Sequence, residues 1–161
     1  MNAIRFISLI VASSLATLAV AQPSEYELVK LVTERKAFMF YMQDAYLALL
    51  SIRRGKNTDF GSASETAQSI SENVGKFVEL LLPDTGEGHV PNSRAKREIW
   101  TEPAEFAAAV DALRTSTTLL SETARGNNIE AFNAQFDVVQ QACFGCHGLM
   151  PSSGGRFRSP K

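Results

Sequence analysis

Apolar residues recur at spacings of three and four along most of this chain, and no segment alternates apolar and polar residues as a strand does. Leu28, Val32, Arg35, Met39, Met42, Tyr46 and Leu49 fall on one face of a helix predicted from about Glu25 to Arg54, ended by Gly55 and a polar run. A second stripe, Ala63, Ala67, Ile70, Val74, Phe77, Val78 and Leu81, begins after Ser62, whose partner three residues on is Glu65, as in a capping box, and Pro83 stops it. The third stripe follows Thr101 as N-cap and Pro103 in the first turn, with Phe106, Val110, Leu113, Thr117 and Leu120 as its inner face and Gly126 as its stop. The fourth starts near Asn128 and carries Ile129, Phe132, Phe136 and Val139 toward Ala142-Cys143 and His147. Four amphipathic helices with mostly short connections predict an all-α protein, an antiparallel four-helix bundle. Residues 84–97 form a long polar loop, and the Ser-, Gly-, Arg- and Pro-rich tail, about 150–161, reads as flexible.

The N-terminus changes the domain count. Arg5 precedes an apolar run from Phe6 to Val20 that closes on Ala19-Val20-Ala21, the pattern of a cleaved secretory signal. The run is short for a membrane-spanning helix, so an uncleaved anchor is the minor alternative. On this reading residues 1–21 are a signal peptide and 22–161 one exported domain, placed in the periplasm with no stable membrane insertion. Removing the signal takes one arginine from 16 basic residues against 17 acidic ones, a net charge near −2. That balance argues against nucleic-acid binding.

The chemistry lies in Cys143-Phe144-Gly145-Cys146-His147. CxxCH is the c-type haem attachment pattern. Positions i, i+3 and i+4 share a helix face, so both thiols can add to the haem vinyl groups while His147 ligates iron. A redox CxxC pair would open a helix in a βαβ unit, a zinc site would have to recruit the distant His89, and a disulfide would leave the histidine unexplained. For the opposite iron face the chain offers Met39, Met42, Met150 and His89. Met150 follows His147 closely and belongs to the proximal side; His89 sits in the polar loop. Met39 and Met42 remain, as an axial ligand or as flexible core filler.

CxxCH near the C-terminus, on the fourth helix of an exported chain, resembles the class II c-type cytochromes, cytochrome c′ and its low-spin relatives such as cytochrome c-556. Glu34-Arg35-Lys36 in the first helix and Ile99-Trp100 ahead of the third match further. The resemblance implies one covalent haem c held by Cys143 and Cys146, with His147 as the proximal ligand. It also implies that Met39, four residues after Arg35, points at the iron, and that Arg35 lies near a propionate. The leading expectation is a periplasmic one-electron carrier, with Met39 as second metal ligand, that serves redox partner proteins and is no enzyme. Its alternative is a five-coordinate, high-spin protein that binds NO or CO. Family members often pair through their first helices, so a homodimer is a further expectation. One departure stands out: cytochromes c′ commonly carry an arginine four residues after the haem histidine, where this chain has Pro151.

Overall fold

The computed structural model describes residues 22–81, 85–150 and 152–160; the proposed signal sequence, Pro83 and Pro151 lie outside the described residues. Five helices follow in order: α1 (Glu25–Arg53), α2 (Phe60–Glu79), the single turn α3 (Glu98–Thr101), α4 (Pro103–Arg125) and α5 (Ile129–His147). The four long ones form the bundle, with α1 on α2, α2 on α4, α4 on α5 and α5 back on α1.

Helix starts follow local hydrogen bonding rather than the apolar stripes. The capping box forms at α1, where the Ser24 hydroxyl accepts from the Glu27 amide at 3.3 Å and the Ser24 amide donates to the Glu27 carboxylate at 2.7 Å. The box expected at Ser62 and Glu65 does not form. Asp59 caps α2 by accepting from the Ser62 amide at 2.9 Å, because a carboxylate three residues upstream competes better for that donor. Thr101, expected as the N-cap of the third long helix, is instead the last residue of α3, and α4 starts after Glu102 with Pro103 in its first turn. Asn128 caps α5 as expected. Trp100 joins α3 to the end of α2, its indole N–H donating to the Leu81 carbonyl at 2.8 Å.

Side-chain size sets how closely the helices approach. α2 and α4 meet through Ala63, Ala67, Thr117 and Ala124, and the Ser64 and Ser121 hydroxyls bond across the seam at 3.0 Å. α1 and α5 meet through bulk: Tyr46 and Phe136 pack at a ring distance of 5.4 Å, and the Gln140 amide donates to the Tyr46 hydroxyl at 2.6 Å. The core therefore has two centres. One gathers Leu49, Ile52, Ile70, Leu120, Phe132 and Phe136; the other gathers Val74, Leu81, Ile99, Phe106, Val110 and Phe157. Met39, Met42 and Tyr46, on the α1 stripe, are only half-buried, since they face the space between these centres. Ile129, assigned to the core stripe of α5, is exposed in its first turn.

The tail is packed where the sequence suggested flexibility. Phe157 is 4% exposed and meets Phe106 edge-on at 5.2 Å. The Phe157 amide donates to the Cys146 carbonyl at 3.3 Å, the Lys96 amide to the Phe157 carbonyl at 3.1 Å, and the Ser159 amide to the Arg94 carbonyl at 3.0 Å. Arg156 bonds the Glu102 carboxylate through two nitrogens at 3.0 and 2.7 Å. Composition misled here because the anchor is one aromatic residue and a backbone pairing of Ala95 with Arg158, both formed with segments distant in the chain. If this segment is a structural clasp, Phe157→Ala should lower unfolding free energy by roughly 3 kcal/mol. A urea melt checks this, and an unchanged midpoint would mean the tail contributes nothing.

Candidate functional site

α5 stops at its functional end. Gly148 adopts φ of 75°, a left-handed conformation natural to glycine, and its amide bonds the Phe144 carbonyl at 2.7 Å, so the helix closes directly after His147. Cys143, Cys146 and His147 consequently share the last turn and all border one cavity of about 770 Å³ between the two halves of the core. That volume lies in the range typical of cofactor sites, roughly 300–1,000 Å³. α1 supplies Met39 and Met42 from its side, and Phe38 stacks on Phe77 at 5.7 Å to close one wall.

Burial controls the three donor groups. It raises the Cys143 thiol, and it pushes the Cys146 thiol up to about 11, with neighbouring Cys143 adding to the effect. Reactive redox pairs need the opposite, a lowered thiol pKa, so these sulfurs do not suit disulfide exchange. Burial also lowers His147 to about 4, helped by the positive charges of Arg158 and Arg94. Its imidazole is therefore neutral at physiological pH, the form that ligates metal.

Arg35 borders the same cavity, 6% exposed, and burial lowers its pKa. Its guanidinium donates to the Thr85 hydroxyl at 2.5 Å, the Thr85 carbonyl at 3.3 Å and the Ser93 hydroxyl at 2.9 Å. It thus fastens the loop of residues 85–95 to α1. His89 is exposed and outside the cavity, and Met150, 61% exposed, lies beyond the end of α5 and also outside it. Two cavity residues escaped the sequence reading: Arg94, in the long polar loop, and Arg158, in a tail read as flexible. The polar–apolar–polar order Arg156-Phe157-Arg158 was the available signal, an extended segment with one inward side chain.

The model of the cytochrome c′ family matches residues 30–149. The chain belongs to the cytochrome c′ family. No curated protein matches it by sequence. Cytochrome c′ from Rubrivivax gelatinosus is similar in structure, with a TM-score of 0.67 and 20% identity over 82% of this chain and 97% of that one. A ferrous variant from Alcaligenes xylosoxidans with bound NO aligns at 0.67 and 19% identity, over 81% of this chain and 94% of that one. Another variant from that organism, with carbon monoxide bound, aligns at 0.66 and 20% identity over the same shares. The family's cofactor is covalently bound haem c, and the donor set and cavity of this chain fit it. The family match stops at residue 149, so most of the clasp lies outside it.

Replacing Arg35 by leucine removes three hydrogen bonds and strands the Thr85 hydroxyl, a loss of roughly 1–3 kcal/mol. Hydrogen exchange of residues 85–95 should accelerate accordingly, with the amides of α2 and α4 unchanged.

Proposed function

We propose that this cytochrome c′ is an exported haem protein that binds a small neutral gas, NO or CO, on the iron face turned toward α1. The observation that carries the reading is the lining on that side: Met39 and Met42, half-buried and flexible, beside the apolar Phe38 and Phe77 wall. That stretch of the lining offers little to a polar ligand, which suits a diatomic gas. The bound gases in the two Alcaligenes xylosoxidans structures belong to those proteins and lend support by family.

When bound, the haem would supply a one-electron iron couple. Cys143 and Cys146 would hold the macrocycle through thioether bonds, and neutral His147 would ligate the iron. Met39 would supply bulk on the α1 side of the cavity that an entering gas has to displace, with Met42 beside it. Arg35 holds the loop wall and adds positive charge at the cavity. The scheme needs no general acid or base, and no residue is assigned to catalysis. Export rests on the Arg5 and Phe6–Val20 pattern. Among the described residues no helix is long and apolar enough to cross a membrane.

A second reading is the electron carrier, in which Met39 sulfur would be the second iron ligand and a low-spin haem would serve redox partner proteins. The pair of methionines at the cavity is what favours it. One spectrum separates the two. A broad high-spin Soret band and rapid CO uptake are expected; sharp low-spin bands that turn high-spin in Met39→Ala would establish the carrier. In the gas binder, Met39→Ala should leave the spin state alone and speed CO uptake about tenfold, equivalent to about 1.4 kcal/mol of barrier. A pyridine haemochrome of the denatured protein without c-type α and β bands would remove both readings.

A further inference from the structure

The side chains bordering the cavity include four cations, Arg35, Lys36, Arg94 and Arg158, and no carboxylate among the described residues. Arg35 is committed to Thr85 and Ser93, and Lys36 is on the exposed rim. Arg94 and Arg158 differ from both. They are half-buried, neither has a side-chain hydrogen bond or ion pair among the described residues, and backbone pairing holds them on neighbouring segments. The antiparallel bridge of Ala95 with Arg158, flanked by the Ser159 amide on the Arg94 carbonyl at 3.0 Å, leaves both guanidinium groups at one cavity wall. Desolvation and the charge of Arg94 both disfavour the charged form of Arg158. Two like charges held together with no counter-ion are unfavourable unless an anion completes the site. Planar guanidinium forks match carboxylates in two-point contacts.

We propose that Arg94 and Arg158 form a two-guanidinium clamp on the haem propionates, and that the C-terminal clasp places the second guanidinium. The inference rests on the haem reading above. It gives the clasp, most of it outside the family match, a task at the cofactor. It also shifts the main propionate contact away from Arg35, which is occupied with the loop.

The test uses the matured, haem-loaded protein and the variants R94Q, R158Q, R94Q/R158Q and R158K. Midpoint potentials are measured over roughly pH 5 to 8. A cation near the haem favours Fe(II), so each glutamine variant should raise the oxidised-to-reduced ratio at fixed solution potential about tenfold, a fall of about 59 mV. The clamp also keeps the propionates ionised. Its loss moves their protonation up into the measured range, where deprotonation with rising pH favours Fe(III). The double variant's midpoint should therefore fall more steeply with pH than the parent's, while R158K keeps the charge and recovers most of the potential.

Other groups that face the clamp are Arg35 and Lys36 from α1 and His147 from α5, unchanged in every variant; Glu87 bonds Ser159 within the clasp. Resonance Raman of the ferrous protein reads the iron–histidine stretch, which should not move. A potential curve parallel to the parent's would overturn the clamp in favour of charge acting at a distance. A shifted iron–histidine stretch with unchanged pH dependence would place the cations on His147 instead. If the double variant does not mature, the single variants decide by the same two readouts. Absence of covalent haem in the parent would sink the haem reading itself, a separate failure visible before any variant is made.

Discussion

A cavity of about 770 Å³ inside a bundle this small is the constraint the rest of the structure answers to. At about 24 cal/mol per Å³, a dry space of that size would cost on the order of 18 kcal/mol. A typical domain has only about 5–15 kcal/mol of stability in all. The chain therefore has to space its walls for a large apolar occupant. It does so by dividing the core: Phe132, Phe136, Leu49 and Leu120 pack on one side, and Phe106, Phe157, Val74 and Ile99 on the other. Close approach is confined to the α2–α4 seam, where alanine, serine and threonine allow it, while Tyr46 and Phe136 keep α1 and α5 apart.

The charge pattern follows from the same constraint. A purely apolar ligand would ask for apolar walls throughout, yet four cations border this cavity without a carboxylate among the described residues. An apolar macrocycle bearing two carboxylates resolves both facts at once. Arg35 shows how the chain manages a buried charge before any ligand is considered: neutral oxygens of Thr85 and Ser93 solvate it and in return become the hinge point of the loop. Among the described residues Arg94 and Arg158 have no such side-chain partners.

How much of this was legible in the sequence divides by range of interaction. The four long helices came through because a 3.6-residue period is written locally, and the CxxCH triplet because its spacing is the chemistry. Local competition misplaced two starts: the Asp59 carboxylate took the Ser62 amide that a capping box would have given to Glu65, and Thr101 went into the α3 turn ahead of α4. The clasp was not legible, because its order comes from Phe157 on Phe106 and from amides paired with residues some sixty positions away. The stripe on α1 was read correctly as one face, but periodicity cannot say that Met39 and Met42 face a cavity rather than a core. Only the arrangement of α5 across from them does.

Gly148 ties these parts together. Its left-handed backbone ends α5 immediately after His147, and a Cβ there would meet the Gly154 carbonyl oxygen at 1.9 Å, while one on Gly155 would meet the Cys146 carbonyl oxygen at 2.4 Å. One residue thus both stops the helix and admits the clasp, so the histidine's position and the clasp's seating cannot vary independently. A shift of the clasp would carry the Arg158 guanidinium with it and also press on the turn that holds both cysteines. The proximal side is therefore built as one rigid unit from α5, the loop and the clasp. By contrast, the side facing α1 depends on two flexible methionine side chains. Rigidity beside the attachment residues and pliancy on the α1 side are the division of labour that the proposed gas binding would call for.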